Sequence, residues 1–570
     1  MSRIQTIGQT NLRPELAGHL RRRLQAFSEG FRHNLALLGP AGSGKTFQLQ
    51  DLLISPIPNV SLIYCPLYRE SPRSFLTRLV CSVLQAGLPN QELLAGSSIQ
   101  ESFDRQQTQT PSVLLERAQM LLPRTVAAVQ PIEGLLMRRL YAEAFLQTLD
   151  LIPLLIEEQG KPCVFILDEF LHLEHLEFVH PFHELGKRVM TWPSTLFILA
   201  SSSLHRARTI LRERFQLLFG QFELLVLNGL DPTTAASLAQ EQLQETPEMS
   251  GIAPFLIQWL GAYPWYLTVF LKRLSELAAL AKQPLSPELL FLQTAWDVLG
   301  GDRGSLHQWC SARIDGLSLT RPGARALEAL IQIVGGARTT TEIGKRIGRG
   351  GLPAALQLLV EHDLAQRNGT CWVVPDPLLR CWLSTILSAQ RTDIQLSRSD
   401  IRHRFETYLR QLWTRWAHSH QLSFSEQVIA LFGQFGDETV SLDSKTGRLP
   451  RFHHVEIAHP LVDPTPDFSL LLDTAPSSGT DAGPATPQVY LIADGQGKRW
   501  CVAVQEGPVD ENGITRFDAF CRNQSPKPSR KVVVARSGLD QNARVLAKTV
   551  NMWVWESEDL DVLMGLYGQV

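Results

Sequence analysis

The apolar run Leu35–Leu38 stops at Gly39-Pro40-Ala41-Gly42-Ser43-Gly44-Lys45-Thr46, and apolar residues then resume at helical spacing from Phe47 onward in FQLQDLL. A strand, a glycine-rich loop and a helix start in that order form the Walker A pattern in its required setting. Glycines let successive backbone N–H groups curl around an anion at the helix N-terminus. Lys45 adds a point charge for β- and γ-phosphate oxygens, and the Thr46 hydroxyl is a ligand for Mg²⁺. Gly39 through Phe47 are therefore expected to hold the phosphates of ATP, with Lys45 also contributing to catalysis.

A second apolar run, Lys161-Pro-Cys-Val-Phe-Ile-Leu-Asp168-Glu169-Phe170, ends in two carboxylates and has the Walker B pattern of a buried parallel strand. Asp168 is placed to hold Mg²⁺ through water, and Glu169 to orient and deprotonate an attacking water. A strand-end cap for the next helix is the other use of such a pair. A third strand, 194–203, ends in hydroxyls, of which Ser201 or Ser202 is the candidate sensor of the γ-phosphate. With strands at 59–66 and 222–230, the expectation is an α/β fold: a five-strand parallel sheet with crossover helices and ATP at its carboxyl edge. Residues 90–160 read as a helical insertion. After the sensor strand, the basic segment from His205 to Phe215 offers Arg212 or Arg214 as an arginine finger for a neighbouring subunit; the alternative is a solvated basic helix face.

A chain of 570 residues exceeds one hydrophobic core, and about three or four domains are expected. Hydrophobic residues make up 44% and charged residues 19%, a globular composition, and the net charge of −2 gives the whole molecule no nucleic-acid footprint. The eight cysteines lack C-x-x-C spacing and are expected to be reduced core residues. The N-terminal segment lacks the apolar stretch of a signal peptide, and no charge-free run would span a bilayer, so a cytoplasmic location without a membrane partner is expected.

The order of these motifs resembles the archaeal-type AAA+/STAND-like ATPases, relatives of the origin-recognition initiator ATPases. Arg13-Pro-Glu15-Leu16 is similar to that family's R-x-E-L entry, GPAGSGKT and VFILDEF to its Walker motifs, and LASSS to its sensor strand. Asn228-Gly-Leu-Asp-Pro232 opens a helix, and Gly261-Ala-Tyr-Pro264-Trp-Tyr-Leu resembles the G-x-x-P lid motif, with no arginine where initiators carry one. A plain helix–helix corner built by Gly and Pro fits the same residues. The resemblance implies an ATPase core over 1–227, a helical lid over 228–315, a winged helix over 316–395 and a restriction-endonuclease-like α/β/α domain over 396–570.

The winged-helix reading rests on helices at Arg325–Val334, Thr339–Ile347 and Leu352–His362 and two strands around Asn368-Gly369, followed by Asp376-Pro-Leu-Leu-Arg380-Cys-Trp382, similar to a D-P-x-x-R-x-W segment of these ATPases. DNA is one candidate partner. The third helix, however, offers only Gln357, Glu361 and His362 as polar side chains, with Lys345, Arg346 and Arg349 nearby, so protein docking or an intramolecular role is expected over DNA contact. In the last domain the helix 399–418 places Phe405, Tyr408, Trp413 and Trp416 as core. Phe405-Glu406 looks like that fold's first-helix glutamate. The E-x-K pair of an active nuclease falls on Ala503 and Gln505, with Glu506, Asp494 and Lys498 out of register, so the domain reads as degenerate; Asp467 or Asp494 would carry any residual cleavage. Three functional classes follow: an ATP-hydrolysing switch coupled to assembly as a homo-oligomer or to a protein partner, a DNA-binding initiator or loader, and a defence-type ATPase with nuclease activity.

Overall fold

The computed structural model describes residues 11–54, 57–88, 110–215, 222–243, 247–281, 285–317, 320–390, 396–443, 445–458, 488–495 and 497–568. The chain divides into two compact units, Met1–Thr294 with Glu361–Asp363, and Ala295–Val360 with Leu364–Val570.

In the first unit, β1 (Asn34–Leu38), β2 (Ser61–Pro66), β3 (Cys163–Asp168), β4 (Thr195–Ser201) and β5 (Phe222–Val226) form one parallel sheet in the order β2-β3-β4-β1-β5. Every residue of β1, β3 and β4 is buried, which explains their unbroken apolar sequences: both sheet faces are covered. The pleat sorts alternate residues into two cores. Leu35, Leu37, Tyr64, Ile166 and Ile198 pack with helices Pro14–Ser28 and Lys45–Ile54. Ala36, Leu38, Ile63, Phe165 and Phe197 pack with helix Pro72–Gly87. Of the expected helical insertion at 90–160, residues 90–109 lie outside the described residues, and the rest holds four helices between Pro111 and Gln159, buried through Leu114, Ile132, Phe145 and Ile152. Because β4 lies between β1 and β3, the loop after β1, the carboxylates after β3 and the hydroxyls after β4 emerge side by side at one sheet edge.

The segment expected to form a lid follows. Asp231 caps helix Pro232–Gln242 by accepting from the Thr234 N–H, helix Ala253–Leu260 stops at Gly261 in the left-handed conformation (φ 68°), and Pro264 opens helix Pro264–Leu280. Trp259, Phe270 and Phe291 meet edge-on or tilted at 5.5–5.8 Å between ring centroids and join helices Ala253–Leu260, Pro264–Leu280 and Pro287–Ala295.

In the second unit, helices Arg321–Val334, Thr340–Ile347 and Leu352–Glu361 precede a hairpin of β6 (Gln366–Asn368) and β7 (Cys371–Val373), to which Thr339 adds a β-bridge. The D-P-x-x-R-x-W segment is a structural tie. Asp376 accepts from the Leu379 N–H and pairs with Arg313 at 2.8 Å, and the Trp382 indole N–H donates to His307 Nδ1 at 3.2 Å.

The hairpin tip does not project freely. Asn368 donates to the Ser441 carbonyl at 2.9 Å and accepts from the Ser441 N–H at 2.7 Å, while the Thr370 N–H donates to the Thr439 carbonyl at 2.8 Å, which docks the tip on β8 (Glu438–Ser441). Arg338 reinforces the junction by donating to the Gln434 carbonyl and lying 4.6 Å over the Tyr567 ring. At Gly369 (φ 61°) an added Cβ would lie 2.0 Å from the Thr439 carbonyl oxygen. Gly369→Ala is therefore expected to destabilise this unit by about 2 kcal/mol, read as a lowered thermal transition; an unchanged transition would mean the junction yields freely.

The rest of the unit is a three-layer α/β/α arrangement. β10 (His454–Ala458), β11 (Val489–Gly495) and β12 (Lys498–Gln505) are antiparallel, and β13 (Arg530–Ala535) and β14 (Trp553–Trp555) continue parallel to β12. Helices Phe424–Phe432 and Ser557–Tyr567 cover one face, and Glu511–Arg522 and Gln541–Thr549 the other. Helix Phe424–Phe432 and the hairpin of β8 with β9 (Thr446–Leu449) were not expected from sequence. Among the four aromatics of helix Arg398–Gln421, Phe405 and Trp416 are buried, but Trp413 is 37% exposed. Trp413 lies off the stripe of Phe405, Leu409, Leu412 and Trp416, and it rests on Trp416 at 5.1 Å instead of entering the core.

Candidate nucleotide site

The loop after β1 is shaped by its glycines. Gly42 and Gly44 have φ of 82° and 96°, a region L side chains rarely adopt, and a Cβ on Gly39 would lie 2.4 Å from the Leu227 carbonyl oxygen. Lys45 opens the following helix and is only 4% exposed. Its ammonium donates to the carbonyls of Gly39 (2.7 Å) and Pro40 (3.1 Å) and to Ser202 Oγ (3.2 Å). Burial lowers its pKa, and the charges of Glu169 and Asp168 oppose that shift. The Ser43 hydroxyl is buried without a hydrogen-bond partner among the described residues, whereas Ala41 and Phe47 are half-buried flanks of the loop.

Asp168 is the last residue of β3 and 3% exposed. Its Oδ2 accepts from the Thr46 hydroxyl at 2.8 Å and the Tyr64 hydroxyl at 2.9 Å, while Oδ1 is buried with no hydrogen-bond partner among the described residues. Burial raises the Asp168 pKa and the neighbouring Glu169 charge adds to this; Thr46, Tyr64 and Lys45 pull it down. Glu169 has φ 55° and turns its carboxylate toward β4, where it accepts from the Ser202 N–H at 2.9 Å and from the Ser202 hydroxyl. It makes no side-chain cap on the 3₁₀ turn Phe170–His175. Ser201 instead folds onto its own turn, its hydroxyl accepting from the Ser203 N–H at 3.1 Å. Of the two candidate sensors, Ser202 alone touches Lys45 and Glu169 in the described contacts.

Two surrounding elements close on this loop. The Trp265 N–H donates to the Gly42 carbonyl at 3.3 Å, and its side chain would lie 3.1 Å from a Cβ on Gly42. Trp265 thus brings an uncharged indole to the loop. Arg13 donates to the Asn228 carbonyl at the start of the lid, and Asn11 joins the loop helix by accepting from Gln48 at 2.7 Å and donating to Asp51 at 3.1 Å. Arg212 and Arg214 are exposed near the end of helix Leu204–Glu213. Arg212 lies 3.7 Å from Glu213, and neither arginine is among the described partners of the loop. Sequence reasoning missed Tyr64, whose one signal was a phenol inside the apolar strand SLIYCP.

The second unit shows no comparable convergence. Ala503 is buried in an apolar cluster with Ile514 and Phe517, and Gln505 donates to the Pro508 carbonyl at 2.7 Å. Asp494 is held by two 2.7 Å bonds from Arg499, Glu506 lies 3.3 Å from Arg536, and Glu406 accepts from Arg402 at 2.8 Å. Asp467 lies outside the described residues. Among the described residues no group of three or more His, Cys, Asp or Glu could hold a metal ion, and no helix is long and apolar enough to cross a membrane.

No family model matches the chain, and no curated protein matches it. Among solved structures it is similar to the Walker-type ATPase PabY2304 of Pyrococcus abyssi, at 15% identity and TM-score 0.43 over 67% of this chain and 97% of that one. It is also similar to the Aeropyrum pernix ORC1 protein, solved in complex with DNA, at 12% identity and TM-score 0.34 over 70% and 93% of the two chains. A Thermotoga maritima RuvB variant aligns at 14% identity and TM-score 0.29 over 65% and 92%. Such distant likeness transfers no activity or partner; the mixed α/β P-loop NTPase fold of the first unit stands on its own strand order, its loop after β1 and the buried cluster of Lys45, Thr46, Asp168, Glu169 and Ser202.

Proposed function

We propose that the chain is an ATP-binding and ATP-hydrolysing molecular switch that couples nucleotide state to conformation, assembly or partner binding. The observation that carries this reading is the buried network in which Lys45 reaches Ser202, Ser202 holds Glu169, and Thr46 meets Asp168. The residues fit the nucleotide and its cation. The Gly42 and Gly44 conformations free the loop for a phosphate, and Asp168 Oδ1, buried and partnerless among the described residues, is a hard oxygen suited to Mg²⁺ or a water bound to it. Mg²⁺ held by Thr46 and Asp168 would supply positive charge to the β- and γ-phosphate oxygens.

The protein groups divide the remaining work. Lys45 exchanges its carbonyl partners for phosphate oxygens, and the loop N–H groups bind the same anion. Ser202 contacts both Lys45 and Glu169, and so reports the γ-phosphate to the base. Glu169 accepts the proton of the attacking water. Trp265 links the lid to Gly42, a route by which loop occupancy moves the lid. Ala503 and Gln505 stand where the nuclease pair would fall and Asp494 is held by Arg499, which favours a binding or structural C-terminal module over a nuclease. The docked wing tip favours an intramolecular role for the winged-helix segment.

The test is ATP turnover by the full chain, alone and with duplex or single-stranded DNA, with size-exclusion profiles under ADP and a non-hydrolysable ATP analogue. Turnover with nucleotide-dependent elution and no DNA effect is the expected result. Stimulation by DNA would replace the switch with an initiator or loader reading, and no turnover in any condition would end the hydrolytic one.

A further inference from the structure

Tyr64 sits on β2, and its hydroxyl donates to Asp168 Oδ2 at 2.9 Å, although 104 residues separate the two in sequence. The placement follows from register. β2 pairs with β3 so that Tyr64 lies opposite Ile166 and Pro66 opposite Asp168. Ile166 and Asp168 share a face, because alternate strand residues do, and the phenol runs along that face to the carboxylate at the strand end. The ring is buried with Leu35, Ile166 and Ile198, which fixes its direction.

Asp168 Oδ2 has a second donor, the Thr46 hydroxyl at 2.8 Å. The two donors differ in what they can do once a cation arrives. Thr46 is exposed and is itself a candidate ligand for the cation, whereas the Tyr64 hydroxyl serves Asp168 from inside the core. Tyr64 is walled in by Leu35, Ile166 and Ile198, and its bond to Oδ2 is set by the fold of the sheet.

We infer that Tyr64 is a positioning residue for the cation site of the nucleotide pocket: it anchors Asp168 through Oδ2 so that Oδ1 stays aimed at Mg²⁺. This rests on the nucleotide-site reading given above. Donors that hold a ligating carboxylate or imidazole tune metal affinity by about 10- to 100-fold. An unanchored Asp168 would turn, and the loss would fall on cation binding alone.

The experiment measures affinity for a fluorescent ADP analogue, with EDTA and across a Mg²⁺ titration, in the full-length wild type, Tyr64→Phe, Asp168→Asn and the double variant. Expected for Tyr64→Phe is unchanged affinity in EDTA and a requirement for about 10-fold or more higher Mg²⁺, with no further loss when it is added to Asp168→Asn. A Mg²⁺ titration overlaying the wild type overturns the inference, as does equal weakening in EDTA or an additive effect with Asp168→Asn, since each marks a merely structural role. A melting transition of Tyr64→Phe within a few degrees of wild type is part of the expected result. Wild-type protein that binds no nucleotide would sink the functional reading and this inference together, whereas Mg²⁺-dependent wild-type binding with an indifferent Tyr64→Phe sinks only the inference.

Discussion

Lys45→Ala is expected to lose nucleotide binding, with affinity for ATP or ADP falling by about 2–5 kcal/mol, roughly thirty- to several-thousand-fold. The ammonium is 4% exposed and faces carbonyl and hydroxyl oxygens of Gly39, Pro40 and Ser202, so it is already desolvated and directed into the loop before any phosphate enters. A buried cation matched to a polyanion contributes far more than an exposed one, and alanine leaves the phosphate without that charge. The same truncation removes the positive neighbour of Asp168 and Glu169, two carboxylates adjacent in sequence. Isothermal titration or equilibrium binding of a labelled nucleotide reads the effect, with a thermal transition to establish that the variant folds. An affinity within twofold of wild type, in a folded protein, would mean that the loop does not cradle phosphate.

That prediction needed only sequence, because Walker A chemistry is local: Gly39 to Thr46 are neighbours in the chain and their roles follow from spacing. Asp168 and Glu169 were also legible, since a fully buried parallel strand has the unbroken apolar run seen at Cys163–Leu167. What stayed hidden depends on contacts between distant segments. The position of β4 between β1 and β3 cannot be read from five apolar runs in order, yet it is what places Ser202 against both Lys45 and Glu169. The choice between Ser201 and Ser202 turns on where β4 ends, and adjacent strand residues face opposite ways. Tyr64 was invisible because its partner is set by β2–β3 register.

The second unit shows the same division. Asn368-Gly369 marked a tight hairpin because the left-handed conformation at Gly369 is a local demand, but its docking on Thr439 and Ser441 is not local and had no sequence signal. β8 and β9 are four residues each and mostly polar, too short to carry a period-two pattern. Trp413 was placed in the core because aromatic residues at near-helical spacing usually are buried. Its exposure follows from an angular offset that a count of aromatics does not register.

Glu169→Gln is expected to bind ATP as tightly as wild type and to turn it over about 10²- to 10⁴-fold more slowly, the range by which a positioned general base accelerates proton transfer. The amide is nearly isosteric, and its carbonyl oxygen can still accept from the Ser202 N–H, so the variant keeps the turn at φ 55° and the link to β4 while losing the proton acceptor. Binding and chemistry should therefore separate, with protein recovered from gel filtration carrying ATP where wild type carries ADP. Ser202→Ala gives the complementary split. It removes the hydroxyl that contacts both Lys45 and Glu169 and leaves the carboxylate in place, so turnover should fall by less than in Glu169→Gln while the bound nucleotide is still hydrolysed. Single-turnover hydrolysis of labelled ATP distinguishes the two variants. If Glu169→Gln matched the wild-type rate, the proton would be leaving by another route and Glu169 would serve only to hold the end of β4 through Ser202.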